Sequence, residues 1–488
     1  MFGIKKNKRN GDVTAPATLD LDGMAALLKT TPEALEAFNR AYEAHSIAVD
    51  DAIDETTDTL HVNSRQASRM TADAHGIAPE ARKIADDIVD GLVAATATWS
   101  YRQTDDGSVA TKVTEALAVN ATPTRDEIAV LPRDERPQLT ATLTTKDFDE
   151  DSAPVLLTCY ARYLEARDAG DAERAQTAYH LFRQGLDTLD LDPVAYAIID
   201  TNPNSMGYWL PALADAIETT DSCGLTVPAT KIAHVPLTLA QLARVDYASL
   251  TPTTKYIVDE WAHRVFGLKS DGDYFIKTGT YSSKFDFRNA RVTTPDEVSD
   301  LGEYLLYIHH QALQMASPLA SPCIYGVSTT NEWVVRDFIA DASEPARPTI
   351  YHGLPLRCEF RVFVDADEDR VLGIHPYWDP DVMERHFAER AAQGDADAVH
   401  DAITYRMAKA DLEREYADTR DAVVAEIVRM LPALKLSGQW SLDIMKNGDA
   451  LVAIDMALAE HSAFYRECVP HELRRPTPEQ WLPEIKRA

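Results

Sequence analysis

The chain has 488 residues, with Lys+Arg 48 against Asp+Glu 78, a formal net charge of −30. At roughly 100–200 residues per domain this suggests two or three domains, and 45% hydrophobic with 26% charged residues excludes disorder of the whole chain. The negative balance argues against a broad footprint for nucleic acid or an anionic membrane, since both need clustered cations, but it leaves room for a small basic pocket. The cysteines lie far apart with no CxxC, which argues against a disulfide framework or zinc ribbon and for a reducing compartment. The basic start, Met1 to Asn10, lacks a following apolar run, and no stretch approaches the ~20 apolar residues of a membrane span. The expectation is a cytoplasmic protein with no membrane partner.

From Leu19 to Asp190 the pattern is mainly helical. Thr31-Pro32-Glu33 combines a cap with a proline at the first helical position, and Leu35, Phe38 and Tyr42 follow on one stripe. Pro79-Glu80 opens a second helix, with Ile84, Ile88, Leu92, Ala95 and Trp99 at helical spacing. Pro154 to Leu189 predicts a helical hairpin broken at Asp168–Asp171, and only Glu127 to Leu143 reads as extended. After Pro193 strands and helices alternate, which points to an open α/β layer. Expected strands are Val194–Ile199, Leu225–Ala233, Tyr274–Lys277, Trp333–Ile339, Leu356–Val364 and Val371–His375. Expected helices are Trp209–Ile217, Leu237–Val245, the one opened by the capping box Thr294-Pro-Asp-Glu297, and the region Val382–Leu431. A final hairpin spans Trp440 to Met456.

Three stretches carry candidate chemistry. Lys277 ends a strand and runs into Thr278-Gly-Thr-Tyr-Ser-Ser-Lys284. It either presents an ammonium to a polyphosphate, with hydroxyls and turn N–H groups around the same anion, or is a surface hairpin lysine; the P-loop pattern is absent. Along Leu356–Val364 a period of two places Arg357, Glu359 and Arg361 on one face, opposite Cys358, Phe360, Val362 and Val364. That face is either a ligand surface, with arginine forks bracing phosphate oxygens and Glu359 orienting them or a metal, or a self-paired solvated face. In the last hairpin, a two-residue Asn447-Gly448 turn would put Asp443 and Asp455 on opposite sides. A three-residue loop, Lys446-Asn447-Gly448 with Gly448 at positive φ, pairs Leu442 with Val452 and Trp440 with Ile454 and brings both carboxylates to one face. Burial of the apolar set favours the second register. Two carboxylates so placed are either a fit site for Mg²⁺ shared with phosphates or a solvated acidic face. All three stretches together would make a magnesium–nucleotide site.

The order of these motifs resembles an ATP-grasp domain and, more narrowly, the branch that contains the cell-division-cycle 123 family. Lys277-Thr-Gly-Thr-Tyr-Ser-Ser-Lys-Phe-Asp286 is similar to that family's lysine strand with its following Ser and Asp. Trp333-Val-Val-Arg-Asp-Phe-Ile339 resembles its hinge strand, and Glu359–Val364 with Leu372–His375 resembles its Glu-Phe-Arg strand and the next one. The resemblance implies a mixed α+β or α/β chain: a two-lobed ATP-grasp nucleotide-binding fold preceded by a mainly helical domain. The implied segments are a basic tail at 1–18, a helical accessory domain at 19–190, an α/β segment at 191–250, the ATP-grasp domain at 251–475 and a tail at 476–488. It implies ATP and Mg²⁺ as cofactors, with Lys277, Ser283, Lys284, Arg336, Asp337, Phe338, Glu359 and Arg361 toward the nucleotide. Lys277 would contact phosphates, the backbone of Arg336 to Phe338 would hold adenine, and Arg361 would be the catalytic contact to phosphate or acyl-phosphate. Asp443 and Asp455 would bind Mg²⁺. The implied activity is an ADP-forming carboxylate–amine or similar ligase with an unidentified carboxylate and acceptor. The alternative is an ATP-dependent assembly factor with a protein partner and little turnover. Ala457 stands where the family has Asn, leaving Glu460 or His461 as substitutes. The lysine of an earlier helix is missing from Trp209–Thr220, although Lys231 and Lys255 lie nearby, and His375 is the candidate general base.

Overall fold

A computed structural model of the chain describes residues 18–40, 79–94, 96–104, 107–112, 121–123, 152–189, 191–244, 252–316, 326–475 and 482–485. The expected extended segment Glu127–Leu143, Tyr42 of the first helical stripe and residues 1–17 of the tail expected at 1–18 lie outside the described residues. The strands that position the site are β1 (Thr98–Thr104), β2 (Gly107–Lys112), β3 (Leu225–Thr226), β4 (Thr230–His234), β5 (Tyr274–Thr278) and β6 (Arg291–Val292), followed by β7 (Glu332–Asp337), β8 (Glu359–Asp365), β9 (Arg370–Pro376), β10 (Gln439–Asn447) and β11 (Ala450–Leu458). The architecture is mixed α/β with several sheets. An antiparallel six-stranded sheet runs β2-β1-β4-β7-β5-β6. A five-stranded sheet runs β9-β8-β10-β11-β3, antiparallel except for the parallel β11–β3 pair.

Local signals account for most elements. Asp171 caps Ala172–Thr188 after Gly170 turns at φ 73, which makes the expected helical hairpin with Ser152–Asp168. Both halves of the Thr294–Glu297 capping box form, and Val298, Leu301, Leu305 and Ile308 are all buried beyond it. The Val382–Leu431 region is two helices, Pro380–Ala392 and the 33-residue Ala398–Met430. Other expectations fail for identifiable reasons. Val194–Ile199 is not a strand but part of the helix Pro193–Ile199, capped by Asp192 with a proline at its first position; every residue is buried, so no periodicity reveals it. Leu225–Ala233 divides at Pro228 into β3 and β4, which belong to different sheets. Trp99 does not continue the Pro79–Ala94 helix but lies in β1, so the mainly helical segment lends β1 and β2 to the first sheet. No helix among the described residues is long and apolar enough to cross a membrane.

One face of the first sheet, carrying Ala233, Ile276, Trp333 and Val335, packs on the helices that precede and follow it. Trp261 meets Trp333 edge to face at 5.4 Å, a geometry that adds about 0.5–1.5 kcal/mol to simple area burial. The other face contributes Ile232 and Val334 to a second core built around Met206–Thr219, with Phe360, Val362, Trp440 and Leu442 of the second sheet. This second core holds the two sheets together and leaves a cleft between them.

Candidate functional site

Register decides which side chains enter the cleft, because directly opposed residues of antiparallel strands share a face. Lys277 pairs with Val334, and Arg336 pairs with Phe275 and Thr230, so Phe275, Lys277, Thr230 and Arg336 share one face. In the second sheet Arg361 pairs with both His375 and Asp443, and Asp443 pairs with Asp455. One rung across four strands therefore reads His375, Arg361, Asp443, Asp455. The acids share a face by a different device from the one expected. The hairpin turns on Gly448-Asp449, since Asn447 pairs with Ala450; Leu442 faces Met456 and Trp440 faces Leu458. Gly448 does have positive φ (61). A regular two-residue turn would split the acids between faces, and a bulge between Asp443 and Ile444 of β10, opposite Ile454, restores them to one.

The cleft holds about 820 Å³ including its mouth. Phe275, Phe287, Phe338, Ile339 and Leu354 line it as apolar wall, and Lys277, Lys284, Arg336, Arg357, Glu359, Asp443 and Asp455 as charged wall. Lys277 is 2% exposed, and its Nζ lies 3.2 Å from Asp455 Oδ1. Burial lowers the Lys277 pKa against the pull of Asp455. Burial also acts on Asp455, but Lys277 and Arg336 outweigh it and hold the carboxyl below its ordinary value. The side chain of Asp455 is 43% exposed. Lys284 donates to the Tyr377 hydroxyl and sits 4.1 Å from that ring's centroid; burial is outweighed by Tyr377 and Glu359, so its pKa rises.

Arg336 carries the most informative geometry. It is 4% exposed; Nε donates to Thr230 Oγ1 at 3.1 Å and Nη1 to the Ile454 carbonyl at 2.5 Å. Its Nη2 is buried with no hydrogen-bond partner among the described residues. Burial pulls its pKa down to about 10 in spite of Asp455. A buried guanidinium N–H without an acceptor costs free energy unless something supplies one.

The remaining sequence candidates fall into place around these groups. Glu359 is 7% exposed, and burial raises its pKa to about 7 against Lys284. Arg357, which precedes β8, donates to the Ile339 carbonyl at 2.6 Å. Arg361 does not line the cleft: both its Nε and Nη2 bond Asp443, at 2.8 and 2.7 Å, and it lies 4.8 Å from the centroid of Tyr377. Ser283 is buried behind the wall, and Ser282 lines it instead. The Asp337 and Phe338 N–H groups donate to the carbonyls of Ala229 and Asp273, so these hinge donors are already committed. His375 is stacked on Phe464, with ring centroids 4.0 Å apart, and does not line the cleft. Lys231 pairs with Val335 and so faces away from the cleft, Lys255 bonds Glu303 at 2.6 Å, and His461 lies between Asn204 and Arg183. Sequence reasoning missed the Arg336 guanidinium, Thr230 and Trp378. The available signal was an arginine two residues after Val334, on the same face of an apolar strand.

Asp443 and Asp455 offer carboxylate oxygens only, which suits Mg²⁺. No group of three or more His, Cys, Asp or Glu able to hold a metal occurs among the described residues, so a divalent ion would complete its shell with oxygens of a ligand or water. The charges do not balance locally. Asp443 is matched by Arg361, Asp337 by Arg102 at 3.5 Å and Arg357 by Asp341 at 3.7 Å. Lys277, Lys284 and Arg336 then face Asp455 and Glu359, whose carboxyl burial holds above its ordinary pKa. Such a cleft favours a polyanion with an apolar moiety at one end.

No family model matches the chain, and no curated protein matches it. Among solved structures the chain is similar to C-terminally truncated Cdc123 from Schizosaccharomyces pombe, at 13% sequence identity and a TM-score of 0.32, with 58% of this chain and 94% of that one covered. It is also similar to Cdc123 from Schizosaccharomyces pombe at 13% identity and a TM-score of 0.32, with 56% of this chain and 94% of that one covered.

Proposed function

We propose that the cleft binds magnesium-chelated ATP in the manner of an ATP-grasp domain, and that binding serves assembly with a protein partner with little turnover. The observation that carries nucleotide binding is the buried, unpartnered Arg336 Nη2 in a cation-rich cleft of a chain with net charge −30. Lys277, Lys284 and Arg336 would meet the phosphates as charge-assisted donors, Phe275, Phe287 and Phe338 would flank the base, and Asp443 and Asp455 would hold the metal. When bound, the ion would neutralise phosphate charge beside the lysines. Little turnover is supported by Arg361, the residue expected at an acyl-phosphate, which is committed to Asp443 outside the wall.

A thermal-shift panel tests the first half of this reading. Mg-ATP at 100 times its dissociation constant should stabilise the chain by about 2.7 kcal/mol; absence of any shift at saturating Mg-ATP would refute nucleotide binding. The second half predicts negligible ADP release with amine and carboxylate acceptors present. Acceptor-dependent ADP formation would instead support the ADP-forming ligase.

A further inference from the structure

A second cavity, of about 540 Å³ including its mouth, adjoins the cleft and shares Glu359 and Trp378 with it. Its remaining wall includes Tyr405, Lys409, Glu413 and Tyr416 of the long helix. The spacing of 405, 409, 413 and 416 keeps these four on neighbouring turns. Each aromatic ring also contacts a different aromatic neighbour. Trp378 packs on Tyr377 at 5.1 Å, Tyr405 on Phe387 at 5.9 Å, and Tyr416 is stacked on Phe360 at 5.3 Å. The Tyr405 hydroxyl is fixed on the Trp378 carbonyl at 2.9 Å, which locks two of the rings together. The one cation of the wall, Lys409, lies 3.4 Å from Glu384. Glu413 is exposed at the edge and has no ion pair among the described residues. Aromatic faces attract a cation through their quadrupole, and a nearby unpaired carboxylate adds to that attraction.

We propose that this cavity is a binding site for an alkylammonium group, lined by Trp378, Tyr405 and Tyr416 and countered by Glu413. The source is either a free amine or the side chain of a lysine on another molecule. The proposal does not rest on the nucleotide reading, because the site is tested without nucleotide.

The test titrates the full chain, nucleotide-free at pH 7.5, with n-butylammonium, with neutral 1-butanol, and with an N- and C-terminally blocked Gly-Lys-Gly peptide, monitored by ligand-detected NMR. Butylammonium should bind about tenfold more tightly than butanol, as expected for a desolvated cation–aromatic contact. Glu413→Gln, a surface change that leaves the fold intact, should weaken butylammonium by about two- to fivefold, and Tyr416→Leu, which keeps an apolar side chain against Phe360, by about fivefold. Tighter binding of the peptide than of butylammonium assigns a lysine side chain, and the reverse assigns a free amine. Equal binding of butanol and butylammonium, no binding of either cation, or unchanged affinity in Glu413→Gln would overturn the proposal.

Discussion

Replacing Lys277 with Met separates a ligand-binding role from a structural one. Breaking a buried ion pair from one side usually costs about 3–5 kcal/mol, because the surviving charge is stranded. Here the surviving partner, Asp455, has a side chain 43% exposed and keeps Arg336 and Lys284 close by. Methionine also fills most of the space left by a side chain that is 2% exposed, without its desolvation cost. The apo protein should therefore change by no more than about 1 kcal/mol. The ligand-bound protein should change more. A hydrogen bond to a charged group contributes about 1.5–3 kcal/mol, and a loss of about 2.3 kcal/mol weakens affinity about 50-fold. At an ATP concentration 100 times the wild-type dissociation constant, the ratio of ligand to constant falls to about 2, and stabilisation falls from about 2.7 to about 0.65 kcal/mol. Differential scanning fluorimetry with and without Mg-ATP measures both quantities in one plate. An undiminished ATP shift in Lys277→Met would refute placement of the phosphates at this lysine. A fall in the apo melting temperature as large as the lost ligand shift would make Lys277 structural.

The cleft and the hairpin that carries its acids yield three more expectations. Asp455→Asn should abolish the gain in ATP affinity that Mg²⁺ provides while leaving metal-free ATP binding intact or stronger, as calorimetry with and without Mg²⁺ would reveal; a persistent Mg²⁺ gain would remove Asp455 from the metal site. Glu359 has an ordinary pKa of 4.5 and a folded-state value of about 7, so the native state holds the extra proton in that window. Its stabilising contribution is complete below pH 4.5 and disappears as pH rises through about 7, a total of about 3 kcal/mol. Glu359→Gln should therefore melt above wild type at pH 8 and close to it at pH 4.5, whereas parallel melting profiles would contradict the burial argument. Gly448→Ala should cost about 1–2 kcal/mol in urea melts, because an alanine at φ 61 is strained, with ATP affinity unchanged.

How much of this was legible in the sequence depends on whether the deciding contact was local. The helical hairpin, the capping box and the Glu359/Arg361 face came from caps and alternation, which act within a few residues. The face of the two acids was also readable, since only one parity buries the apolar set of both strands. The route to that parity was not. Asn447 normally signals the turn itself, but its side chain accepts from Ala342 N–H and donates to the Ala340 carbonyl, at 3.0 Å each, which holds it in the strand and passes the turn to Gly448-Asp449. The register shift that compensates leaves the Ile454 carbonyl to accept from Arg336, a residue of the other sheet. Nothing within β10 or β11 specifies that partner, and nothing within β7 explains a buried arginine beside Val334. The irregularity aligns Asp455 with Asp443 and at the same time fixes one arm of Arg336, leaving Nη2 buried without an acceptor. The irregularity that pairs the two acids thus also supplies one of the two acceptors that seat Arg336, through a bond between residues 118 apart in sequence and in different sheets.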